Sequence, residues 1–177
     1  MAPFNYVRLP TAFGEFAIVW DGSGMIRKIY LPTKSGTLLS DFPGAERGVD
    51  PGIAGVAEDI SRFLSGLDVS FSLDAVALDA CTEFQRRVLL AEYGIPRGYV
   101  STYNRIAGHV GCPGGARAVG GALAANPFPI IIPCHRAVRS DGGLGGYQGG
   151  LEMKRRLLGM EGVGFSGGRV DMSRVYY

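Results

Sequence analysis

Residues 101–138 read STYNRIAGHVGCPGGARAVGGALAANPFPIIIPCHRAV. Ser101 or Thr102 can cap a short helix, because their hydroxyl groups accept hydrogen bonds from the first free N–H groups of a helix. A turn with Pro113 follows, and a second helix is predicted from about 115 to 125. Two short helices joined in this way are typical of a helix-turn-helix, so we expect this stretch to organise a mostly helical domain.

The second of these helices is rich in small residues and carries one charge, Arg117. An interior glycine costs a helix about 1 kcal/mol relative to alanine, so Gly120 and Gly121 indicate that something approaches the backbone closely. That neighbour is either another helix of the core or a nucleic-acid groove into which Arg117 reaches. Asn126 and Pro127 then end the helix, since a residue before proline disfavours helical backbone angles.

The end of the stretch places three reactive side chains after an apolar run. Residues 130–132 are predicted to form a buried strand, and Pro133 ends its pairing because proline has no N–H to donate. Cys134 then lies at a strand end and can face a cleft, with His135 and Arg136 beside it to lower its thiol pKa. An inert core cysteine is the alternative, and the basic neighbours with a downstream glutamate favour a nucleophile.

The chain before residue 78 contains no candidate catalytic or binding motif, and we expect it to be an α+β scaffold. Its apolar pattern predicts strands joined by a turn at 21–24, and a helix with Pro51 in its first position. These elements are strands over 6–9, 14–20, 25–31 and 68–73 and a helix that starts after Asp50.

A further helix is predicted to open the part after residue 78. Residues 82–85 read TEFQ, a capping-box pattern, and the apolar stripe that follows them continues to Ile95. Pro96 should stop this helix.

The charge of the chain is unevenly distributed. The 177 residues carry a net charge of +2, but residues 1–96 have eight Lys/Arg against twelve Asp/Glu, or −4. Residues 97–156 have eight against two, or +6, and this basic region holds Cys134. Such a region suits a phosphate-backbone ligand, although an ordinary solvated basic surface would have the same composition.

Composition also limits the class of protein. Three cysteines, an odd number spaced far apart, disfavour a disulfide framework and suit a reducing compartment. Two histidines and no CxxC make a structural zinc site improbable, and the glycine-rich run at 142–150 lacks a nucleotide-phosphate motif. No apolar run approaches the roughly 18 residues of a membrane span, so we expect a cytoplasmic protein, or a nuclear one in a eukaryote.

Residues 82–138, together with GGLGGYQGGLEMKRRLLGMEG at 142–162, resemble the catalytic domain of the O6-alkylguanine-DNA alkyltransferases, also called methylated-DNA-protein-cysteine methyltransferases. PCHR at this distance from RAVGGA and NP is highly specific. The resemblance implies a two-domain α/β fold, with a ribonuclease-H-like α+β domain and a helical, winged-helix-like domain that contains the helix-turn-helix. It also implies a single-use transfer, without cofactor, of an alkyl group from O6-alkylguanine in DNA to a cysteine, with O4-alkylthymine as a further candidate substrate.

The resemblance also implies a role for individual residues. Cys134 would accept the alkyl group, His135 would act as base through a water, and Glu161 would hold the imidazole. Tyr103 would stabilise the departing guanine, and Asn126 would be the hinge after the recognition helix. The residues implied to contact substrate or DNA are Arg117, which replaces the base turned out of the duplex, and Ala118, Leu123, Arg136, Ala137, Val138, Tyr147 and Gln148.

The sequence departs from the family pattern at two of these positions and at its end. Many members have valine where Ala137 stands, and some have a serine where Gln148 stands. The expected division is an N-terminal domain over 1–78, a DNA-binding and alkyl-acceptor domain over 79–163, and a tail over 164–177 that lies beyond the resemblance.

Three functions from different classes fit these residues. The first is a DNA-repair alkyltransferase, whose partner is double-stranded DNA with an alkylated guanine and which needs no membrane, no metal and no obligate protein partner. The second is a cysteine hydrolase or acyltransferase built on the same cysteine, histidine and glutamate. The third is a module that binds alkylated DNA without transfer. The adjacency of Cys134 and His135 disfavours the second, and the presence of Cys134 disfavours the third.

Overall fold

The structure, a computed structural model, describes residues 4–177 and shows two units whose sequence ranges interleave. One unit contains the described residues up to Ala80 together with Pro127–Ile131, and the other contains Cys81–Asn126 and Ile132–Tyr177. They are called unit 1 and unit 2. The strands and helices are, in chain order, β1 (Asn5–Thr11), β2 (Gly14–Trp20), β3 (Ile26–Tyr30), α1 (Leu38–Asp41), β4 (Glu46–Arg47), α2 (Pro51–Leu64), α3 (Glu83–Tyr93), β5 (Ser101–Thr102), α4 (Tyr103–His109), α5 (Ala116–Ala124), β6 (Ala137–Val138), α6 (Leu151–Met160), β7 (Phe165–Ser166) and β8 (Arg169–Val170).

Unit 1 is built on a four-stranded sheet with the order β3-β2-β1-β4. The three long strands are antiparallel, as the predicted hairpin requires, and β4 pairs parallel to β1. The Asp21 carboxylate holds the turn between β2 and β3 by accepting from the N–H of Ser23 at 2.9 Å and of Met25 at 3.2 Å. The backbone N–H of Ile29 in β3 donates to the carbonyl of Pro127 at 2.7 Å, which attaches the 127–131 segment to this unit.

The predicted helix after Asp50 is present as α2. The Asp50 carboxylate accepts from the N–H of Ile53 at 3.0 Å, and Pro51 occupies the first turn. Its buried face carries the apolar side chains expected at helical spacing, Ile53, Ile60, Phe63 and Leu64.

The strand expected over 68–73 is absent, and this prediction is wrong. The chain has no regular structure there, and the pairing with β3 comes later, as an isolated parallel bridge between Ile26 and Val76. The Ser72 hydroxyl accepts from the N–H of Asp74 at 3.1 Å. Local side-chain hydrogen bonds of this kind compete with a strand ladder, which explains the difference.

Unit 2 begins with three helices, α3, α4 and α5, that pack against one another. Thr82 caps α3 by accepting from the N–H of Gln85, and Thr102 caps α4 by accepting from the N–H of Arg105. Both caps agree with the sequence analysis, and of the two residues proposed for α4 it is Thr102 that caps. The strands β5 and β6 pair in parallel and bring the start of α4 beside the segment that follows Cys134.

The residues after Gly162 pack as part of unit 2. Val163 and Val170 join Val100, Val138, Leu144 and Leu158 in one buried cluster. Further along, the N–H of Tyr176 donates to the carbonyl of Val100 at 2.8 Å, next to a parallel bridge between Val100 and Val175. The tail is therefore an added edge beside β5. In the described range 4–177, no helix combines the length and apolar character that crossing a membrane requires.

Candidate active site

Cys134 lies at the start of a 3-10 turn, Cys134–Arg136, that leads into β6. The preceding residues 130–132 are buried, but they form a turn instead of the expected strand, so that prediction is wrong. The physical reason is the backbone at Ile130, whose φ of 76° is a left-handed conformation that no strand has and that costs a β-branched residue energy. Cys134, which belongs to unit 2, is buried.

The two residues after Cys134 both bind Glu161, which ends α6. His135 Nε2 lies 2.9 Å from Glu161 Oε1, and the Arg136 guanidinium makes a fork to both carboxylate oxygens at 2.8 and 2.9 Å. The side chains of His135 and Glu161 are completely buried. The buried carboxylate of Glu161 is stable because three charge-assisted hydrogen bonds replace the hydrogen bonds that it would make with water.

The protonation of this group follows from the same contacts. Burial would raise the pKa of Glu161, but His135 and Arg136 outweigh it and hold the pKa at about 2. Burial lowers the pKa of His135 below its ordinary value of 6.5, although Glu161 acts to raise it. The imidazole is therefore neutral at pH 7. Since a carboxylate can only accept, Nε2 carries the proton and Nδ1 presents the lone pair.

The thiol of Cys134 differs from the sequence expectation in exposure and in acidity. Cys134 is only 5% exposed, whereas a cleft-facing sulfur was expected. Burial raises its pKa to about 12, although hydrogen bonding by Asn126 and the charge of Lys154 act to lower it. The expected lowering by neighbouring cations is wrong, because the guanidinium of Arg136 is committed to Glu161 and His135 is neutral.

Asn126 joins the end of α5 to the turn that carries Cys134. Its side-chain amide donates to the carbonyl of Ile132 at 3.1 Å, and its own carbonyl accepts from the Gln148 amide at 2.9 Å. Asn126 is 2% exposed. The structure thus places Asn126, Gln148 and the Cys134 turn in one hydrogen-bonded group.

Two aromatic side chains flank this group. The ring centroid of Tyr147 lies 6.4 Å from that of His135, and its buried hydroxyl has no hydrogen-bond partner among residues 4–177. Tyr103 packs against the same glycine-rich loop, where a Cβ on Gly145 would lie 2.5 Å from the tyrosine oxygen. Burial, with smaller contributions from Glu92 and Cys134, raises the pKa of Tyr103 to about 12, so it keeps its proton.

Sequence reasoning missed two buried charged residues, Lys154 and Glu92. Lys154 Nζ donates to the carbonyls of Ala137, Leu144 and Gly146 at 2.6, 2.5 and 3.1 Å, which uses all three protons of an ammonium group. These carbonyls belong to β6 and to the glycine-rich loop. Burial lowers the pKa of Lys154 to about 8, although Cys134 and Glu92 raise it.

Glu92 is fully buried on α3, and neither carboxylate oxygen has a hydrogen bond of good geometry among the described residues. Burial raises its pKa to about 8, against the lowering effect of Lys154, Arg136 and the N–H of Ala137. The sequence contained a signal for this residue. Glu92 lies four residues after Val88, on the apolar stripe of a predicted helix, where a carboxyl is unusual.

The predicted DNA-contacting residues separate into exposed and buried sets. Arg117 and Ala118 are exposed near the start of α5, and Arg117 lines a groove of about 640 Å³ together with Tyr103. Leu123 is 4% exposed, so it packs within unit 2 and does not offer a surface to DNA. Arg136 is engaged with Glu161 instead of facing a ligand. Of the remaining four, Ala137 and Val138 are buried in β6, and Tyr147 and Gln148 are half-buried in the glycine-rich loop.

The sequence is similar to that of known proteins that act on methylated DNA. Residues 83–163 match the family model described as 6-O-methylguanine DNA methyltransferase, DNA binding domain. A methylated-DNA–protein-cysteine methyltransferase of Methanothermobacter thermautotrophicus is 50% identical over 154 residues, which cover 86% of this chain and 82% of that protein. The protein of the same name from Mycobacterium tuberculosis is 42% identical over 163 residues, or 89% of this chain and 92% of its own.

Solved structures show the same likeness. The crystal structure of Mycobacterium tuberculosis OGT in complex with DNA has a TM-score of 0.72 and 30% sequence identity, covering 89% of this chain and 92% of that one. The O6-methylguanine-DNA methyltransferase of Pyrococcus kodakaraensis has a TM-score of 0.59 and 27% identity, covering 90% of this chain and 99% of that one. The likeness confirms a mixed α/β fold, and the identity to the curated relatives shows that this chain belongs to the methylated-DNA–protein-cysteine methyltransferase family.

Proposed function

We propose that this protein repairs alkylated DNA directly, by moving the alkyl group of O6-alkylguanine onto Cys134 once per molecule. The observation that carries the proposal is the buried group formed by Cys134, His135 and Glu161 in a chain that belongs to this family. A cysteine with a neutral imidazole beside it, oriented by a carboxylate, has the parts of an activated nucleophile. O4-alkylthymine is a further candidate substrate.

The chemistry is a single displacement. The Cys134 thiol gives its proton to His135 at Nδ1, through a water, while the sulfur attacks the alkyl carbon. The S–C bond forms as the O6–C bond breaks, and the electron pair of the broken bond goes to guanine. The proton lost by sulfur is matched by one that guanine takes up, for which we assign the Tyr103 hydroxyl as donor near N3. Atoms and charges balance with no cofactor.

The high thiol pKa makes proton removal part of the reaction step. With a pKa of about 12, ionising Cys134 at pH 7 in the resting protein costs about 7 kcal/mol. The resting sulfur is therefore a thiol, protected from oxidation and from adventitious electrophiles. Asn126 and Lys154 both favour the thiolate. We propose that substrate binding beside them offsets the free energy needed to ionise Cys134.

The proposal assigns roles to the other side chains around the site. Arg136 positions Glu161, and Asn126 couples α5 to the acceptor turn. Tyr147 and Gln148 form one wall of the pocket and Ala137 and Val138 the other. The buried Tyr147 hydroxyl, which has no hydrogen-bond partner among the described residues, supports a pocket that binds a polar ligand, because such a group is otherwise costly.

We also propose that unit 2 binds double-stranded DNA through α5. Arg117 would enter the duplex in place of the alkylated guanine, since a base inside the stack cannot be reached by a protein sulfur. Ala118, exposed beside Arg117, would lie against the groove. The relative from Mycobacterium tuberculosis was solved with DNA, and the +6 charge of residues 97–156 suits the same ligand.

The finer features of the fold belong to this proposal. The antiparallel strands and α2 support a ribonuclease-H-like fold for unit 1, and α4 with α5 supports a helix-turn-helix of the winged-helix type in unit 2. The proposed division is a scaffold over 1–78, a DNA-binding and acceptor domain over 79–163 and a tail over 164–177. The proposed location is the cytoplasm, or the nucleus in a eukaryote, and no obligate protein partner is proposed.

Mass spectrometry tests the proposal. After incubation with a duplex that contains O6-methylguanine, the peptide with Cys134 should gain the mass of one methylene, in a ratio of one per protein. Cys134→Ser should abolish the transfer and retain DNA binding, while Cys112→Ser, at a half-exposed cysteine in the same unit, should transfer normally. Repeated turnover would indicate a hydrolase, and binding without modification would indicate a recognition module. Either result would overturn the proposal.

A further inference from the structure

The tail lines a basic groove that adjoins the groove beside the recognition helix. The helix groove, defined by Tyr103, Arg117 and Arg139, has a volume of about 640 Å³. The tail groove, defined by Arg139, Arg155 and Arg169, has a volume of about 630 Å³. Arg139 and Asp141 line both, so the two grooves are continuous along unit 2.

The charge along this path is positive. Four arginines line the two grooves, and the only carboxylate among the residues that line them belongs to Asp141. Asp141 lies 3.6 Å from Arg139 and 3.4 Å from Arg169, but the side chains of these two arginines are 66% and 61% exposed. One exposed carboxylate cannot neutralise four cations, so the path keeps an excess of about three positive charges.

The residues that line the tail groove are fixed by contacts with the rest of unit 2. The hairpin of β7 and β8 is fixed to the core through Val170, whose N–H donates to the carbonyl of Gly142 at 2.8 Å. Arg155 on α6 stacks over Phe165 at 4.7 Å and donates to the carbonyl of Gly168 at 3.2 Å. Arg169 is thus presented on an ordered hairpin and Arg155 on the adjoining helix α6, which reduces the entropy lost on binding a ligand.

The shape of the tail groove suits a sugar–phosphate backbone. Gly146 and Gly168 line it, and a Cβ at either position would meet no atom within 4 Å, so a chain of phosphates can pass close to the protein. Guanidinium groups bind phosphate oxygens in a planar fork, which explains why arginines and not lysines are effective here. Arg155 is held by its stacking and hydrogen bond and Arg169 by its contacts to Asp141, whereas the side chains of a merely solvated basic surface need no such contacts.

We infer that Arg155 and Arg169 form a second phosphate-binding subsite, in which the tail hairpin takes the backbone of the DNA duplex beyond the nucleotides next to α5. This inference rests on the proposed function, because it assumes that α5 faces DNA. It assigns the residues after Gly162 a part in substrate binding. Cys134 does not line the tail groove, and the subsite contributes affinity without sequence preference.

Salt titration of DNA binding tests the subsite. Fluorescence anisotropy with an undamaged duplex should give a plot of log affinity against log salt that is less steep by about 0.9 for each arginine removed, Arg155→Gln and Arg169→Gln. Near 0.1 M salt this corresponds to up to about eight-fold weaker binding for each. Arg174→Gln is the matched control, since it removes an exposed arginine of the same tail that lines neither groove.

A gain of binding provides a test that misfolding cannot imitate. Asp141→Asn keeps an oxygen to accept from the N–H of Gly143, as Asp141 does at 2.9 Å, but removes the charge opposite Arg139 and Arg169. It should strengthen duplex binding by roughly two- to eight-fold. The rate with free O6-benzylguanine, which has no phosphates, should be unchanged in all four variants.

The inference is overturned if the two arginine variants keep the salt dependence of the unaltered protein, or lose no more than Arg174→Gln. It is also overturned if Asp141→Asn does not bind more tightly. These outcomes are separate from failure of the proposed function, which would appear as absence of alkyl transfer to Cys134 whatever the salt dependence.

Discussion

The free energy of unfolding of this protein should fall as pH rises because of Glu92, and replacement of Glu92 by glutamine should abolish this part of the fall. Glu92 is buried on α3 without a hydrogen bond of good geometry among the described residues, and burial raises its pKa from 4.5 to about 8. A carboxyl whose pKa is higher in the folded than in the unfolded protein is most favourable below pH 4.5. Its contribution is lost as pH rises through the folded pKa.

The magnitude follows from these two pKa values. Between pH 5 and pH 8, proton linkage for a group with a pKa of 4.5 unfolded and about 8 folded corresponds to about 3 kcal/mol of lost stability. Lys154 faces Glu92, but its pKa of about 8 is lowered from 10.5, so its own linkage acts mainly above this window. His135, Glu161 and Arg136 are common to both proteins, and their contributions cancel in the difference.

The assay is urea unfolding followed by circular dichroism at several values between pH 5 and pH 8. We expect the free energy of unfolding of the unaltered protein to fall by about 3 kcal/mol more than that of Glu92→Gln across this range. Glu152→Gln, at an exposed glutamate of α6, is the control and should follow the unaltered protein. Parallel pH profiles for the unaltered protein and Glu92→Gln would refute the assignment of a raised pKa to Glu92.

Four further changes have expected outcomes. Arg136→Gln removes the two hydrogen bonds of the guanidinium to the buried Glu161 carboxylate and should lower the free energy of unfolding by about 3–5 kcal/mol. Arg136→Lys should recover part of this loss, and urea titration measures both variants. Thr82→Ala removes the cap of α3 and should cost about 1 kcal/mol in the same assay. Tyr147→Phe removes a buried hydroxyl without a partner among the described residues and should raise stability by about 1 kcal/mol, seen as a higher melting temperature. Arg117→Ala should slow repair of duplex DNA far more than reaction with free O6-benzylguanine, and equal losses on both would remove its role in entering the duplex.

Local sequence rules predicted the elements whose causes are local. The caps at Asp50, Thr82 and Thr102 and the turn at 21–24 depend on side chains within a few residues, and the structure has all of them. The expected strands at 68–73 and 130–132 are absent, because one segment prefers local hydrogen bonds and the other contains a left-handed residue. Apolar composition indicated burial correctly at 130–132 but did not distinguish a strand from a buried turn.

Residues distant in sequence decided the environment of the candidate site. His135 and Arg136 follow Cys134 directly, and sequence reasoning therefore treated them as the groups that acidify it. In the structure they turn to Glu161, which is far along the chain, and the thiol pKa is raised by burial. Glu92 and Lys154 show the same limit, since Glu92 was visible only as a charge on the apolar stripe of a predicted helix and Lys154 lies in a helix that was not predicted.

The sequence by itself determined the resemblance to the family, the caps of α2, α3 and α4 and the candidate acceptor cysteine, because motif spacing and capping chemistry are properties of neighbouring residues. Only the tertiary structure decided which charges meet, which of them lose their water and how the tail joins β5 and the basic grooves. Coulomb energies and desolvation depend on distances between atoms in space, and a linear chain does not contain those distances until it folds.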